Sequence, residues 1–150
     1  LAFAAAPVFA DSDEGEEGEG GFRAVTAMNA ATQTECGSCH IAYPPGFLPA
    51  RSWTAIMAGR DDHFGENATL DAATRTEIET FLTANAADAQ GGWGRRDPAP
   101  GATPLRISEL PWFVREHGRE VSDRMKAKAK SMSNCAACHQ GAAQGIYEDD

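Results

Sequence analysis

The sequence predicts a mostly α-helical protein built from two small domains. Three observations support this fold class. Regular segments of the 150-residue chain have the apolar spacing of helices, and runs of alternating β-branched residues are absent. A segment rich in glycine and proline, residues 85–104, divides the chain into two halves. Each half contains one Cys-x-x-Cys-His sequence and one further histidine.

The clearest predicted helix follows residue 69. Thr69 is the expected N-cap, Asp71 lies in the first turn, and an apolar stripe passes through Ile78 and Leu82. Weaker helices are expected over residues 22–32 and 48–59 of the first half. In the second half, "LPWFVREHG" and "REVSDRMKAKAKSM", residues 110–118 and 119–132, have helical composition, with a proline near the start of the former.

Composition sets the expected domain bounds. Residues 1–10, "LAFAAAPVFA", look like the end of an export signal, because small residues stand where a signal peptidase requires them. Residues 11–21 hold six acidic residues and no base, which predicts a disordered acidic tail. We therefore expect a first domain over residues 22–90, a linker over 91–104 and a second domain over 105–150.

The charge pattern argues against nucleic-acid binding. The formal net charge is −9, and it comes from the acidic segments near the two ends of the sequence. The rest of the chain is about neutral, so it has no net positive surface to neutralise phosphates. Residues 21–90 carry four bases and eight acids, whereas residues 95–130 carry nine bases and five acids. This asymmetry would orient a charged partner.

All four cysteines belong to the two motifs, "CGSCH" and "CAACH". A zinc ribbon would place its cysteine pairs much closer together, and a thioredoxin-like motif would need a βαβ context. Disulfides would suit an exported chain. However, two of the four histidines directly follow a cysteine pair, which is the attachment sequence of c-type haem. We therefore predict two covalent haems, and with them export to the periplasm. Cys36 and Cys39 attach one haem and His40 binds its iron, whereas Cys135 and Cys138 attach the other haem and His139 binds its iron.

Each haem iron needs a sixth ligand. The two remaining histidines, His63 and His117, lie one in each half, so they match the two open positions in number and distribution. Methionine is the alternative ligand, and the candidates are Met57, Met125 and Met132. Local pairing within each half is the simpler assumption, but a crossed arrangement is the alternative. Two arginines, Arg51 and Arg106, are candidates to pair with haem propionates.

An iron with two protein ligands suits one-electron transfer rather than catalysis. We therefore predict an electron carrier and not an enzyme. If one of the two remaining histidines did not ligate, that haem would be five-coordinate. The chain would then be a dihaem enzyme, such as a peroxidase, or a gas sensor.

Three stretches together resemble the small soluble dihaem cytochromes c of purple and related proteobacteria. They are "CGSCHIAYPPGFLPARSW", "DDHFGE" and "RISELPWFVREH" followed by "NCAACH", and the resemblance covers about residues 30–142. It implies low-spin bis-histidine haems, with His40 paired to His63 and His139 paired to His117. It also implies a first domain like class I cytochrome c and a short helical second domain whose motif lies near the C-terminus.

The same resemblance implies redox partners. The expected acceptor is a small high-spin monohaem cytochrome c that binds oxygen or nitric oxide, the sphaeroides haem protein. A membrane cytochrome b is the expected donor. We expect the carrier itself to be a monomer.

Overall fold

The computed structural model describes residues 22–23, 27–89, 99 and 101–147. The predicted signal remnant, the predicted acidic tail and most of the predicted linker lie outside these described residues. Within the described part, no helix is both long and apolar enough to cross a membrane.

In its described residues, the first half contains three α-helices joined by short loops. They are α1 over Ala30–Gly37, α2 over Ala50–Ala58 and α3 over Ala72–Ala84. Single 3-10 turns precede and follow α2, at Pro45–Phe47 and Arg60–Asp62. Helices α2 and α3 pack against each other, and α1 packs on α3.

The part of the second half that the structure describes contains two shorter α-helices and more 3-10 turns. Helix α4 spans Pro111–Gly118 and α5 spans Asp123–Ala129. The 3-10 turns lie at Ile107–Glu109, Cys135–Ala137 and Ala142–Gln144. A two-residue strand near the end of the described chain, β2 (Ile146–Tyr147), pairs antiparallel with β1 (Phe22–Arg23). The mostly α fold class is confirmed.

Two predicted helix starts were wrong, for local reasons. Asp71 rather than Thr69 caps α3, because its carboxylate accepts the backbone N–H groups of Ala73 and Thr74, each at 3.0 Å. Helix α1 begins at Ala30, well beyond the predicted start at residue 22, because the Asn29 side chain caps it by accepting the N–H of Thr32 at 3.0 Å.

The two halves share one hydrophobic cluster. Ile78 and Leu82 of α3 are fully or almost fully buried, as the apolar stripe predicts. They pack with residues of α2 and with the start of α4. The buried members are Leu48, Trp53, Met57, Ile78, Leu82, Ala86, Leu110 and Phe113. The predicted domain bounds stay a prediction, and this cluster joins the parts that they would separate.

Candidate haem sites

The first motif lies at the C-terminal end of α1. Cys36 is in the last turn of the helix and is partly buried, whereas Cys39 and His40 follow it and are exposed. The Nδ1 atom of His40 is 2.6 Å from the carbonyl oxygen of Ile41. Since a carbonyl only accepts, Nδ1 carries the proton and donates it. The lone pair is then on Nε2, which leaves that nitrogen available to a metal.

A tight turn after α2 presents His63 to the first motif. The backbone groups of His63 and Glu66 bond to each other at 2.7 and 3.2 Å. Between them Phe64 and Gly65 have left-handed backbone angles, with φ of 57° and 98°. The carboxylate of Asp62 closes the turn by accepting the Gly65 N–H at 3.0 Å. As a result the rings of His63 and His40 lie close together, with centroids 6.3 Å apart and planes inclined by 25°.

The second motif begins in a 3-10 turn rather than a helix. Its backbone is tightly folded, because the N–H of His139 donates to the Cys135 carbonyl at 2.8 Å. His117 approaches it from the last turn of α4. The centroids of the His117 and His139 rings lie 6.1 Å apart, and their planes are nearly perpendicular, at 85°.

Phe113 fixes the orientation of His117. The two rings stack, with centroids 4.0 Å apart and planes 14° from parallel. The Nδ1 atom of His117 donates to the Phe113 carbonyl at 3.0 Å, so Nε2 is again the nitrogen with the free lone pair. One residue of α4 thus sets both the tilt and the tautomer of the imidazole.

The spacing of both histidine pairs fits one metal ion between two imidazoles. An imidazole nitrogen binds a transition metal at about 2 Å, and the ring centre lies about 1 Å further out. Two rings that bind one ion from opposite sides therefore have centroids about 6 Å apart. The observed separations are 6.3 and 6.1 Å. The residues present therefore fit two irons, each with two histidines.

Burial keeps several of these groups uncharged. It lowers the pKa of His63, and the positive charge of Arg60 and the His40 ring lower it further. A neutral imidazole is the form that binds metals. Burial also raises the pKa of Cys135 to about 11. None of the four cysteines forms a disulfide, and the first cysteine of each motif is partly buried whereas the second is exposed.

The methionine alternatives have other surroundings. Met57 is buried in the core at 1% exposure, and its sulfur accepts a hydrogen bond from Arg60 at 3.5 Å. Met125 is 44% exposed on α5. Met132 packs against the shared hydrophobic cluster. Met57 thus has the plain core position that its helical spacing with Trp53 indicates.

Two residues near the sites were missed in the sequence. Tyr43 stacks on His40, with centroids 4.9 Å apart, and its hydroxyl reaches the second motif's segment. Arg60 is buried between α2 and His63.

By contrast, Arg51 bonds the Ala102 carbonyl and lies 3.9 Å from the Asp88 carboxylate. Arg106 stacks on the exposed Phe64 ring at 4.2 Å. Only the three-dimensional structure distinguishes the buried arginine from the others.

This helical chain has two Cys-x-x-Cys-His motifs, and the histidine of each lies at ligating distance from a second imidazole. These features define a c-type cytochrome with two haems. The family model for dihaem cytochrome c matches residues 32–147. The chain therefore belongs to the dihaem cytochrome c family. It binds two covalently attached haem c groups, for which the four cysteines provide two attachment sites, and the family supports an electron-transfer role.

Solved structures agree with this family. A diheme cytochrome c from Rhodobacter sphaeroides is 58% identical over 84% of this chain and 100% of its own, with a TM-score of 0.78. A second structure from that organism is 56% identical over 82% and 100%, with a TM-score of 0.72. A diheme cytochrome type c from Shewanella baltica OS155 is 38% identical over 82% and 89%, with a TM-score of 0.66. No curated protein matches the chain.

Proposed function

We propose that the protein is a periplasmic electron carrier whose two haems are both low-spin and bis-histidine. The observation that carries this proposal is the spacing of the two histidine pairs, 6.3 Å and 6.1 Å between ring centroids. In this proposal His40 and His63 hold the first iron, and His139 and His117 hold the second. Each pair is local to one half of the chain.

Such an iron takes up and releases one electron with little rearrangement and offers no open position to oxygen or peroxide. The protein fixes the positions and tautomers of the imidazoles. The carbonyls of Ile41 and Phe113 fix the tautomers of His40 and His117. The short backbone bridge between His63 and Glu66 fixes the loop that carries His63. Rigid ligands lower the structural change that each electron transfer requires.

We further propose that electrons pass to a small high-spin monohaem cytochrome c that binds oxygen or nitric oxide, and that a membrane cytochrome b is the donor. The resemblance to the small soluble dihaem cytochromes c implies these partners, and the charge of residues 111–130, which include α4, α5 and their connection, supports them. Arginine and lysine outnumber acidic residues in this segment by six to three. The bases are Arg115, Arg119, Arg124, Lys126, Lys128 and Lys130. These side chains are exposed, so they can orient an acidic partner surface during encounter.

Electron paramagnetic resonance of the oxidised holoprotein tests the ligand set. We expect two low-spin ferric signals, no high-spin signal, and no prompt binding of carbon monoxide after reduction. The two signals should differ in shape, because the imidazole planes are inclined by 25° in one pair and 85° in the other. A high-spin signal, or a methionine–iron charge-transfer band, would contradict the proposal.

Stopped-flow mixing of reduced protein with the monohaem cytochrome, at two salt concentrations, tests the acceptor separately.

A further inference from the structure

Arg60 is buried, at 8% exposure, and it is the one charged side chain that is buried within residues 27–89, 99 and 101–147. It begins the 3-10 turn that connects α2 to His63. Its Nε atom donates to the Ala68 carbonyl at 2.7 Å, and its Nη1 atom donates to the sulfur of Met57 at 3.5 Å. These bonds hold the guanidinium in one place.

Arg60 has no carboxylate partner among the described residues. The ion pairs of that part involve other arginines and one lysine, all substantially exposed. A buried charge without a counter-ion is costly, because it loses hydration that hydrogen bonds to neutral groups replace only in part. A carbonyl and a thioether are neutral groups. No carboxylate of the described residues therefore compensates the positive charge.

The field of this charge falls on the first haem site. Arg60 begins the 3-10 turn that ends at His63. Its backbone carbonyl accepts the N–H of Ala68 at 2.8 Å and its side chain donates to the Ala68 carbonyl, so the loop that carries His63 is closed on Arg60. The guanidinium is also within hydrogen-bonding reach of the Cys36 side chain. The cation therefore lies close to an attachment residue and to a proposed axial ligand of the same haem. The nearby carboxylates of Asp61, Asp62 and Glu35 are exposed, so water screens them more than it screens the guanidinium.

Among the described residues, the second site has no equivalent group. In the described part of the second half, every arginine and lysine is exposed. The second site has aromatic neighbours instead. The ring centroids of His139 and Tyr147 lie 5.7 Å apart, and His117 stacks on Phe113. The two haem sites therefore differ by one buried positive charge.

We propose that Arg60 makes the first haem, bound at Cys36 and Cys39, the easier of the two to reduce, so that an electron shared between the haems resides mainly there. The inference rests on the proposed electron-carrier function. Reduction removes one positive charge from the iron, and a fixed cation nearby favours that change. Two unit charges about 10 Å apart, at an effective dielectric constant of about 20, shift an equilibrium by roughly tenfold. Arg60 acts on the first haem through its fixed positive charge and does not bind the iron.

The test compares variants of the holoprotein at this position. Arg60→Met and Arg60→Gln remove the charge, the second serving if the first fails to fold. Arg60→Lys keeps the charge. Arg75→Met is the matched control, since Arg75 is an exposed arginine on α3 paired with Glu79. The reduced fraction of each haem is followed during a redox titration by nuclear magnetic resonance, with haem signals assigned through contacts to His40 or His139.

In the neutral variants we expect the oxidised-to-reduced ratio of the first haem to rise about tenfold, which is about 59 mV for one electron. The oxidised-to-reduced ratio of the second haem should stay within twofold of its value in the Arg75→Met control. In Arg60→Lys the ratio of the first haem should stay close to its wild-type value. The proposal is overturned if the neutral variants match the control. It is also overturned if Arg60→Lys shifts the ratio as far as Arg60→Met, since packing would then be the cause. Loss of the low-spin signal in the neutral variants would equally overturn it, because Arg60 would then act through the position of His63. Failure of the proposed ligand set would appear instead in the wild-type spectrum.

Discussion

The hydroxyl of Tyr43 donates a hydrogen bond to the carbonyl of Ser133 at 2.6 Å, across 90 positions of the sequence. The Tyr43 ring stacks on His40 of the first motif, with planes 18° from parallel. Ser133 lies two residues before Cys135 of the second motif. One side chain therefore connects the two haem-attachment segments, which the chain order keeps almost a hundred residues apart.

Replacing Tyr43 by phenylalanine should weaken this connection without removing the ring that stacks on His40. The lost bond should lower the free energy of unfolding by about 1 kcal/mol, as for a typical intramolecular hydrogen bond. Urea denaturation followed by circular dichroism measures the loss. Both haems should keep their low-spin signals in this variant. Tyr43→Leu, which also removes the stacked ring, should cost more and should alter the signal of the first haem. Equal stability of Tyr43→Phe and wild type would contradict the structural role.

Replacing His63 or His117 by alanine should open one coordination position in each case. The haem should stay attached, because the thioether bonds to the cysteines are unchanged. Each variant should gain one high-spin signal and bind carbon monoxide at one haem, and it should lose a few kcal/mol of stability because a buried ligand that ties a helix or loop to the haem is gone. Electron paramagnetic resonance and carbon monoxide titration measure both changes.

Met57→Leu is the matched control for His63→Ala. It removes a buried sulfur from the same region but should leave both haems low-spin, since Met57 lies in the core. If Met57→Leu opens a coordination position and His63→Ala does not, methionine is the ligand. If His117→Ala changes the haem attached at Cys36 and Cys39, the ligands cross between the halves.

Acidification should weaken the start of α3 through Asp71. Hydrogen bonds from the Thr74 hydroxyl and from the N–H groups of Thr74 and Ala73 lower the pKa of this carboxyl below its ordinary value of 3.8. Because the folded-state pKa is the lower one, the stabilisation is complete above about pH 4 and is lost as the pH falls through the folded-state value. The midpoint of thermal unfolding, measured between pH 6 and pH 2, should therefore fall less steeply in Asp71→Asn than in wild type.

The two candidate caps of α3 can be compared directly. Asp71→Ala should lower the unfolding midpoint at pH 6, whereas Thr69→Ala should leave it nearly unchanged. Thr69 lies outside the helix, and its N–H donates to the Asn67 side chain. An equal effect of both substitutions would argue for the cap that the sequence predicts rather than the one in the structure.

The haem attachment sites could be predicted because their chemistry is local. A cysteine pair followed by histidine is complete within five residues, so the sequence contains the whole signal. The stripe of Ile78 and Leu82 is also local and is buried as predicted. The Tyr43–Ser133 bond and the burial of Arg60 depend on how distant segments pack. Nothing in "RDDHFGEN" distinguishes Arg60 from the exposed arginines, because its burial depends on contacts of its side chain with Met57 of α2, with Ala68 and with Cys36 of α1.

Gly141 allows Ile146 to approach closely near the second haem site. A Cβ atom placed there would lie 2.7 Å from the Cβ atom of Ile146 and 3.3 Å from its carbonyl oxygen. Ile146 also donates its N–H to the Gly141 carbonyl at 3.0 Å, so neither segment can move away without breaking that bond. The next residue, Tyr147, contacts the rings of both His139 and Phe47.

Gly141→Ala should therefore push β2 outwards and disturb the packing of Tyr147 on His139. We expect a loss of about 1–3 kcal/mol in the free energy of unfolding, the usual cost of overpacking. The low-spin signal of the second haem should also change, while that of the first stays constant. Gly118→Ala is the control, because a Cβ atom at this last residue of α4 meets nothing within 4 Å. That substitution should be neutral or slightly stabilising, since alanine favours a helix over glycine. If both alanine variants behaved alike, the contact between Gly141 and Ile146 would not restrict the second site.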